Sequence, residues 1–353
     1  MRDDVINTLE VFRYACSHQS QHVIWDQQAL KRIEKQLLIN PKLDRLHALI
    51  YQNAIERNQL AWFDASTQTI LKKTTYSIVA DIAAKRAFIQ QLAAALEHKN
   101  IAIILLKGMA FNDVLYPTAA PRGTSDIDIL IKPADKENFE LVLKELAKPV
   151  KLDNEHPFDG LYEQSWIVLA GANQFIDVHT SLTNPLLFNV NYDMLWQTSY
   201  KHPTYQSENV RLMDNENTYA YLITHMINDT NFYHYNLIDI HELLAKNTLQ
   251  PIIVEQVIRE WGVSKASKYV RLSAETHLLT NFDPKYSASD KGGFFDSFNW
   301  FFVKQVMLVS ASDKSVLQRI KQIVTYFLFV DSTKNVLKLI KKYLLIRFTS
   351  RHI

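Results

Sequence analysis

The sequence predicts an α+β protein in which a small mixed sheet, within residues 100–213, lies between a helical region at 1–99 and a second at 214–353. Three observations predict it. Glycine and proline, costly inside helices and typical of turns, are unevenly spread: before Gly108 there is no glycine and one proline, whereas four glycines and seven of ten prolines fall from Gly108 to Pro203. Apolar residues recur every three or four positions on both sides of that stretch, the pattern of amphipathic helices. Within it, short β-branched runs such as IAIILL (101–106) and IDILI (127–131) suit buried strands instead.

In chain order, ALKRIEKQLLI and the long run at 67–98 read as packing helices. IAIILL is the first strand, and KGMAFNDVLY after it reads as a helix. IDILI is the second strand, followed by a helix, ADKENFELVLKEL, entered through Pro133. SWIVLAGANQFIDVH reads as a hairpin turning near 171–173. Helical periodicity returns in NTYAYLITHMI, NLIDIHELLA and IIVEQVIREW.

Composition removes several function classes. The chain has 353 residues and only 7 glycines, where average usage would give about 25. No three of them make a dinucleotide-binding turn and no two bracket a phosphate-cradling lysine. With 39 basic and 37 acidic side chains, the net charge of +2 gives no global field toward nucleic acid or membrane. The single cysteine, Cys16, cannot form an internal disulfide, and the opening MRDDVINTLE lacks the apolar core of a secretory signal. No run approaches the 18 apolar residues of a membrane span. A cytoplasmic location is expected.

The most informative stretch runs from Lys107 to Ile131. On an extended strand Asp126 and Asp128 share one face, while Ile127, Ile129 and Ile131 take the other. Two carboxylates side by side repel, and a divalent cation is the best reason to keep them together. In QFIDVHTSL, Asp177 and His179 likewise share a face opposite Ile176 and Val178. Three carboxylates from two strands suit two metal ions, with Asp177 also on the side of the attacking group. His179 is more often a packing or hydrogen-bonding residue than a ligand. Lys107 and Gly108, at a strand-to-helix junction, are candidates for phosphate, as a point charge and a place where backbone can approach. Arg122 could fork onto phosphate, with Gly123 and Ser125 adding donors.

This ordering resembles the uncharacterised nucleotidyltransferase family within the DNA polymerase beta-like superfamily. The motifs that carry the resemblance are Leu106-Lys107-Gly108, Leu115-Tyr116-Pro117, Arg122 through Ile131, and Asp177-Val178-His179. It covers roughly residues 100–245 and, more weakly, the flanking helices. It implies a small mixed sheet with helices, Mg²⁺-dependent transfer of a nucleotidyl group from a nucleoside triphosphate such as ATP, metal ligands at Asp126, Asp128 and Asp177, and nucleotide contacts near Lys107 and Gly108. It also implies that the helices of His225 and Asp239 flank the cleft. The superfamily's usual Gly-Ser pair on the first helix is replaced by Lys107-Gly108, farther from the aspartates than usual.

Other constellations say less. His225 and Asp229 lie four apart on one helical face, but no third ligand has metal spacing and no His-Glu-x-x-His occurs, so zinc is not expected there. Nothing around Cys16 marks it as a nucleophile. The C-terminal stretch carries Lys334, Lys338, Lys341, Lys342, Arg347 and Arg351 among apolar residues, which suits either a docked helix with a solvated basic face or contact with an anionic membrane or nucleic acid. The main expectation is a nucleotidyltransferase using Mg²⁺ or Mn²⁺ and an unidentified hydroxyl acceptor. The alternatives are a Mn²⁺-dependent glycosyltransferase using Asp126 and Asp128, or a non-catalytic nucleotide-binding scaffold.

Overall fold

The computed structural model describes residues 2–16, 24–116, 120–150, 162–169, 174–229, 235–246, 249–278 and 316–349. The chain begins with α1 (Arg2–Ala15), α2 (Gln27–Ile39), a 3-10 turn at Pro41–Leu46, α3 (His47–Glu56) and the 33-residue α4 (Ala65–Glu97). Asp26 caps α2, its Oδ1 accepting from the Ala29 N–H at 2.7 Å, which satisfies one of the donors a helix start leaves open.

The sheet strands follow, with helices between them: β1 (Ile103–Leu106), α5 (Lys107–Phe111), β2 (Asp126–Leu130), α6 (Lys136–Leu146), β3 (Ala147–Pro149), β4 (Glu163–Val168), β5 (Phe175–His179), α7 (Tyr192–Thr198), β6 (Tyr200–Lys201) and β7 (Val210–Leu212). They form one mixed seven-stranded sheet in the order β3-β4-β5-β2-β1-β7-β6. β2 runs antiparallel to β1 and parallel to β5, and β4–β5 is the antiparallel pair expected from the hairpin. Its turn near 171–173 lies outside the described residues. β3, β6 and β7, with two or three residues each, are too short to give a periodic signal. The helix expected over KGMAFNDVLY stops at Phe111 and gives way to turns.

After the sheet come α8 (Asn215–Asn228), α9 (Tyr235–Ala245), α10 (Pro251–Trp261), α11 (Ser264–Ser273), α12 (Val316–Phe329) and α13 (Thr333–Thr349). Gly262 closes α10 in the left-handed conformation, φ +75°. The link between α12 and α13 docks on α11: Asp331 accepts from the N–H groups of Ser264 and Lys265 at 2.8 and 3.0 Å. In α13, Val336 is buried while Lys334, Lys338, Lys341 and Lys342 are exposed. Nothing is described of the Arg347 side chain, and Arg351 lies outside the described residues. No helix among the described residues is long and apolar enough to cross a membrane.

The long connection from β1 to β2 is clamped from three sides. Lys85 of α4, buried, donates to the Thr124 carbonyl at 2.6 Å and to Asp81 at 2.6 Å. The Gly123 N–H donates to the Arg45 carbonyl at 2.8 Å, and the Asn112 amide to the Arg122 carbonyl at 2.9 Å. Gly108 meets Thr124 so closely that a Cβ there would sit 2.4 Å from Oγ1 and 2.6 Å from Cβ of Thr124. Gly108→Ala is therefore expected to lower unfolding free energy by about 1–3 kcal/mol through overpacking, read by urea denaturation. Thr124→Ala should fail to rescue it, because the Thr124 Cβ is itself in the way.

Candidate functional site

The site is built on strand alternation. In parallel neighbours, residues in register point to the same face. Asp128 pairs with Asp177, Asp126 with Phe175 and Leu130 with His179 across β2 and β5; on β4, Ser165 pairs with Asp177 and Glu163 with His179. One sheet face thus gathers Asp126, Asp128, Asp177, His179, Ser165 and Glu163. The opposite face presents Ile127, Ile129, Ile176, Val178 and Trp166. Burying this apolar face holds the register, since a one-residue slip would put isoleucines in the polar site.

The carboxylates sit in different environments. Asp128 is 3% exposed. Its Oδ1 receives the Lys107 ammonium at 2.9 Å and lies 3.2 Å from His179 Nε2. Burial alone would raise its pKa, but the Lys107 charge and the His179 hydrogen bond outweigh this and hold it well below the usual carboxylate range. Asp177 accepts from Ser165 Oγ at 2.6 Å. Burial, assisted by Glu163, Asp128 and Asp126, pushes it up to about 6 against that hydrogen bond. Asp126 is half-buried at the open end of β2, beside the exposed Ser125.

Lys107 links the sheet to the C-terminal helices. It stands at φ +45°, a conformation side-chain-bearing residues rarely adopt. Burial opposes its charge, yet Asp128 more than compensates and raises its pKa further. Nζ also lies 2.8 Å from His225 Nε2, and His225 Nδ1 lies 2.9 Å from Asp229 Oδ2. The Asn236 amide nitrogen lies 3.1 Å from the same Nδ1, so His225 is held between Lys107 on one ring nitrogen and Asp229 and Asn236 on the other. On the far side, His179 Nδ1 is 3.6 Å from Glu163. A continuous polar chain therefore runs Asp229–His225–Lys107–Asp128–His179–Glu163.

Two of the expected phosphate contacts are engaged elsewhere in this structure. Arg122 is 4% exposed and forks onto Asp239 of α9, Nε to Oδ1 at 2.7 Å and Nη2 to Oδ2 at 2.8 Å. Tyr116 donates to the same carboxylate. Asp239 is fully buried, and a guanidinium is the cation that satisfies both its oxygens at once. Gly108 is buried against Thr124 rather than open for phosphate to approach. Ser165, Glu163 and Tyr221, the last buried beside Lys107 and Asp128, were not singled out from the sequence. The alternation of Glu163 and Ser165 with buried Trp166 was the available signal for the first two. The cysteine expectation also changes, because Cys16 lies next to His241 and Glu242 in space.

Asp126, Asp128 and Asp177 offer the hard oxygen donors a divalent cation such as Mg²⁺ takes. They do not all come within 4.8 Å of one another, so they do not form a closed cage around one ion. The Lys107 ammonium holds the positive position against Asp128.

Ionised Asp177 is expected to oppose folding. For an acid with a raised folded pKa, metal-free stability declines as pH rises from the ordinary carboxylate value through about 6. Asp177→Asn should raise unfolding free energy at neutral pH by about 1 kcal/mol, discounted for its partial exposure. The gain should shrink near pH ~4, where the wild-type carboxyl is protonated in the folded state. Denaturation in chelator at both pH values checks the sign.

A mixed sheet carrying aspartates on adjacent strands, a basic residue at the end of β1 and supporting helices defines a nucleotidyltransferase-type core. Residues 37–278 match the model of the uncharacterised nucleotidyltransferase family. The match spans more than half of the chain, and the protein belongs to that family; it reaches farther in both directions than the motifs visible in the sequence. Nucleotidyl transfer is accordingly its general class of reaction. A search of curated proteins found no match.

Proposed function

We propose that the chain transfers a nucleoside monophosphate from a nucleoside triphosphate, ATP among the candidates, to a hydroxyl acceptor with release of pyrophosphate. The observation that carries this reading is the register of Asp128 against Asp177, with Asp126 on the same face. Asp126, Asp128 and Asp177 would hold Mg²⁺ or Mn²⁺, which when bound supplies charge neutralisation at the phosphates and activation of the attacking oxygen.

The protein's own groups do the rest. Asp177, oriented by Ser165, takes the proton of the acceptor hydroxyl. His179 fixes the same Asp128 oxygen that Lys107 contacts. Lys107, held by His225 as well as Asp128, swings its ammonium onto the departing pyrophosphate without losing its second anchor. Arg122 acts at a distance, keeping the β1–β2 connection in place through Asp239.

The test offers labelled triphosphates with Mg²⁺ or Mn²⁺ to the full chain and a cell extract, and identifies the labelled acceptor by mass spectrometry. A metal-dependent nucleotidyl adduct is the expected result. Binding of sugar nucleotides in preference to triphosphates, or no metal-dependent triphosphate binding by calorimetry, would overturn the reading.

A further inference from the structure

Away from the aspartate face, three side chains with different donor atoms meet where α1 packs on α9. Cys16 continues the last turn of α1, its N–H donating to the Phe12 carbonyl at 3.0 Å. That helix end is held by the Asn53 amide, which donates to the carbonyls of Tyr14 and Ala15 at 2.8 and 2.9 Å. α9 contributes His241 and Glu242. One ligand atom from each of the three residues lies within 4.8 Å of the other two. Their exposures are 1%, 3% and 1%. No other trio of His, Cys, Asp or Glu among the described residues converges this closely.

α9 is buried from Tyr235 to Leu243, so His241 and Glu242 hold their donor atoms away from solvent. A nucleophilic cysteine is a poor reading of the cluster, because burial together with Glu242 and Asp239 keeps the thiol protonated and no open approach reaches it. The donors are sulfur, imidazole nitrogen and carboxylate oxygen, a set suited to Zn²⁺ and unlike the all-oxygen preference of Mg²⁺.

We propose that Cys16 Sγ, a ring nitrogen of His241 and a carboxylate oxygen of Glu242 form a structural zinc site that ties α1 to α9. The metal–sulfur bond forms as the sulfur–hydrogen bond breaks, and the proton leaves with the water the metal sheds on entering. The tie lies one helical turn from Asp239, so it also steadies the carboxylate that holds Arg122 and the β1–β2 connection.

The full chain, without a histidine tag and dialysed against metal-free buffer, should carry about one zinc per chain by elemental analysis. The Asp126→Asn/Asp128→Asn double variant should keep that zinc, which separates this site from the aspartate face. Cys16→Ser, checked for folding by circular dichroism, should lose at least about nine-tenths of it. Wild-type chain stripped with chelator and titrated with Co²⁺ should show thiolate-to-cobalt charge-transfer absorption, a readout that stands even if the variant fails to fold. The proposal is overturned if wild type shows neither bound zinc nor that absorption, or if folded Cys16→Ser retains its zinc.

Discussion

Asp128→Asn is expected to lower nucleotidyl transfer by about 10³-fold or more, the scale on which removing a charge-stabilising group from a phosphoryl-transfer site acts. Two losses combine. The substitution removes one of the three aspartates from the polar face, and it strips Lys107 of the ion partner 2.9 Å away. Lys107 is largely buried, so an unpaired ammonium there also costs stability, about 1–3 kcal/mol. Asp126→Asn separates the effects: that carboxylate is half-buried and makes no ion pair among the described residues, so activity should fall with little change in stability. Pyrophosphate release and urea denaturation on both variants supply the comparison. Undiminished release from folded Asp128→Asn would take the carboxylate face out of the reaction.

The second large effect is expected at Arg122 and Asp239. Either Arg122→Met or Asp239→Ala leaves a charge stranded among residues that are almost wholly buried, and each should destabilise the fold by about 3–5 kcal/mol. The Arg122→Met/Asp239→Leu double variant removes both charges and should lose clearly less than the sum of the singles, the signature of direct coupling. Arg122→Lys should not restore stability, because a lysine cannot bond both carboxylate oxygens in the fork seen here. Additive losses in the cycle would mean that the pair is not what holds the connection. A triphosphate KM that rises in a fully stable Arg122→Lys would return Arg122 to the role of phosphate ligand.

What could be read from the sequence follows from the range of the physics involved. The alternation of Asp126 and Asp128 with isoleucines is a two-residue signal, and it predicted a strand with a polar and an apolar face. The helices around 67–98 and 215–245 announced themselves by their repeat of apolar residues. Register is not local: that Asp128 stands beside Asp177 depends on which strands pair, and 49 positions separate them. The partner of Arg122 is hidden for the same reason. A loop arginine next to acids suggests phosphate, and only the folded chain brings in Asp239, 117 residues away. Lys107 and His225 are 118 residues apart. Cys16 looked isolated because both of its neighbours belong to a helix that begins more than two hundred residues later.

The order of Lys107 and Gly108 has a consequence for anyone redesigning this turn. The backbone asks for glycine at the first position, where φ is +45°, yet a lysine stands there and accepts about 1 kcal/mol of conformational strain. The second position has unremarkable torsion angles but no room for a Cβ against Thr124. Transposing the two would relax the first residue and drive the lysine's own Cβ into Thr124, losing both the ammonium and the close approach. The dipeptide is therefore directional: its first member is chosen by charge against the preference of the backbone, and its second by volume.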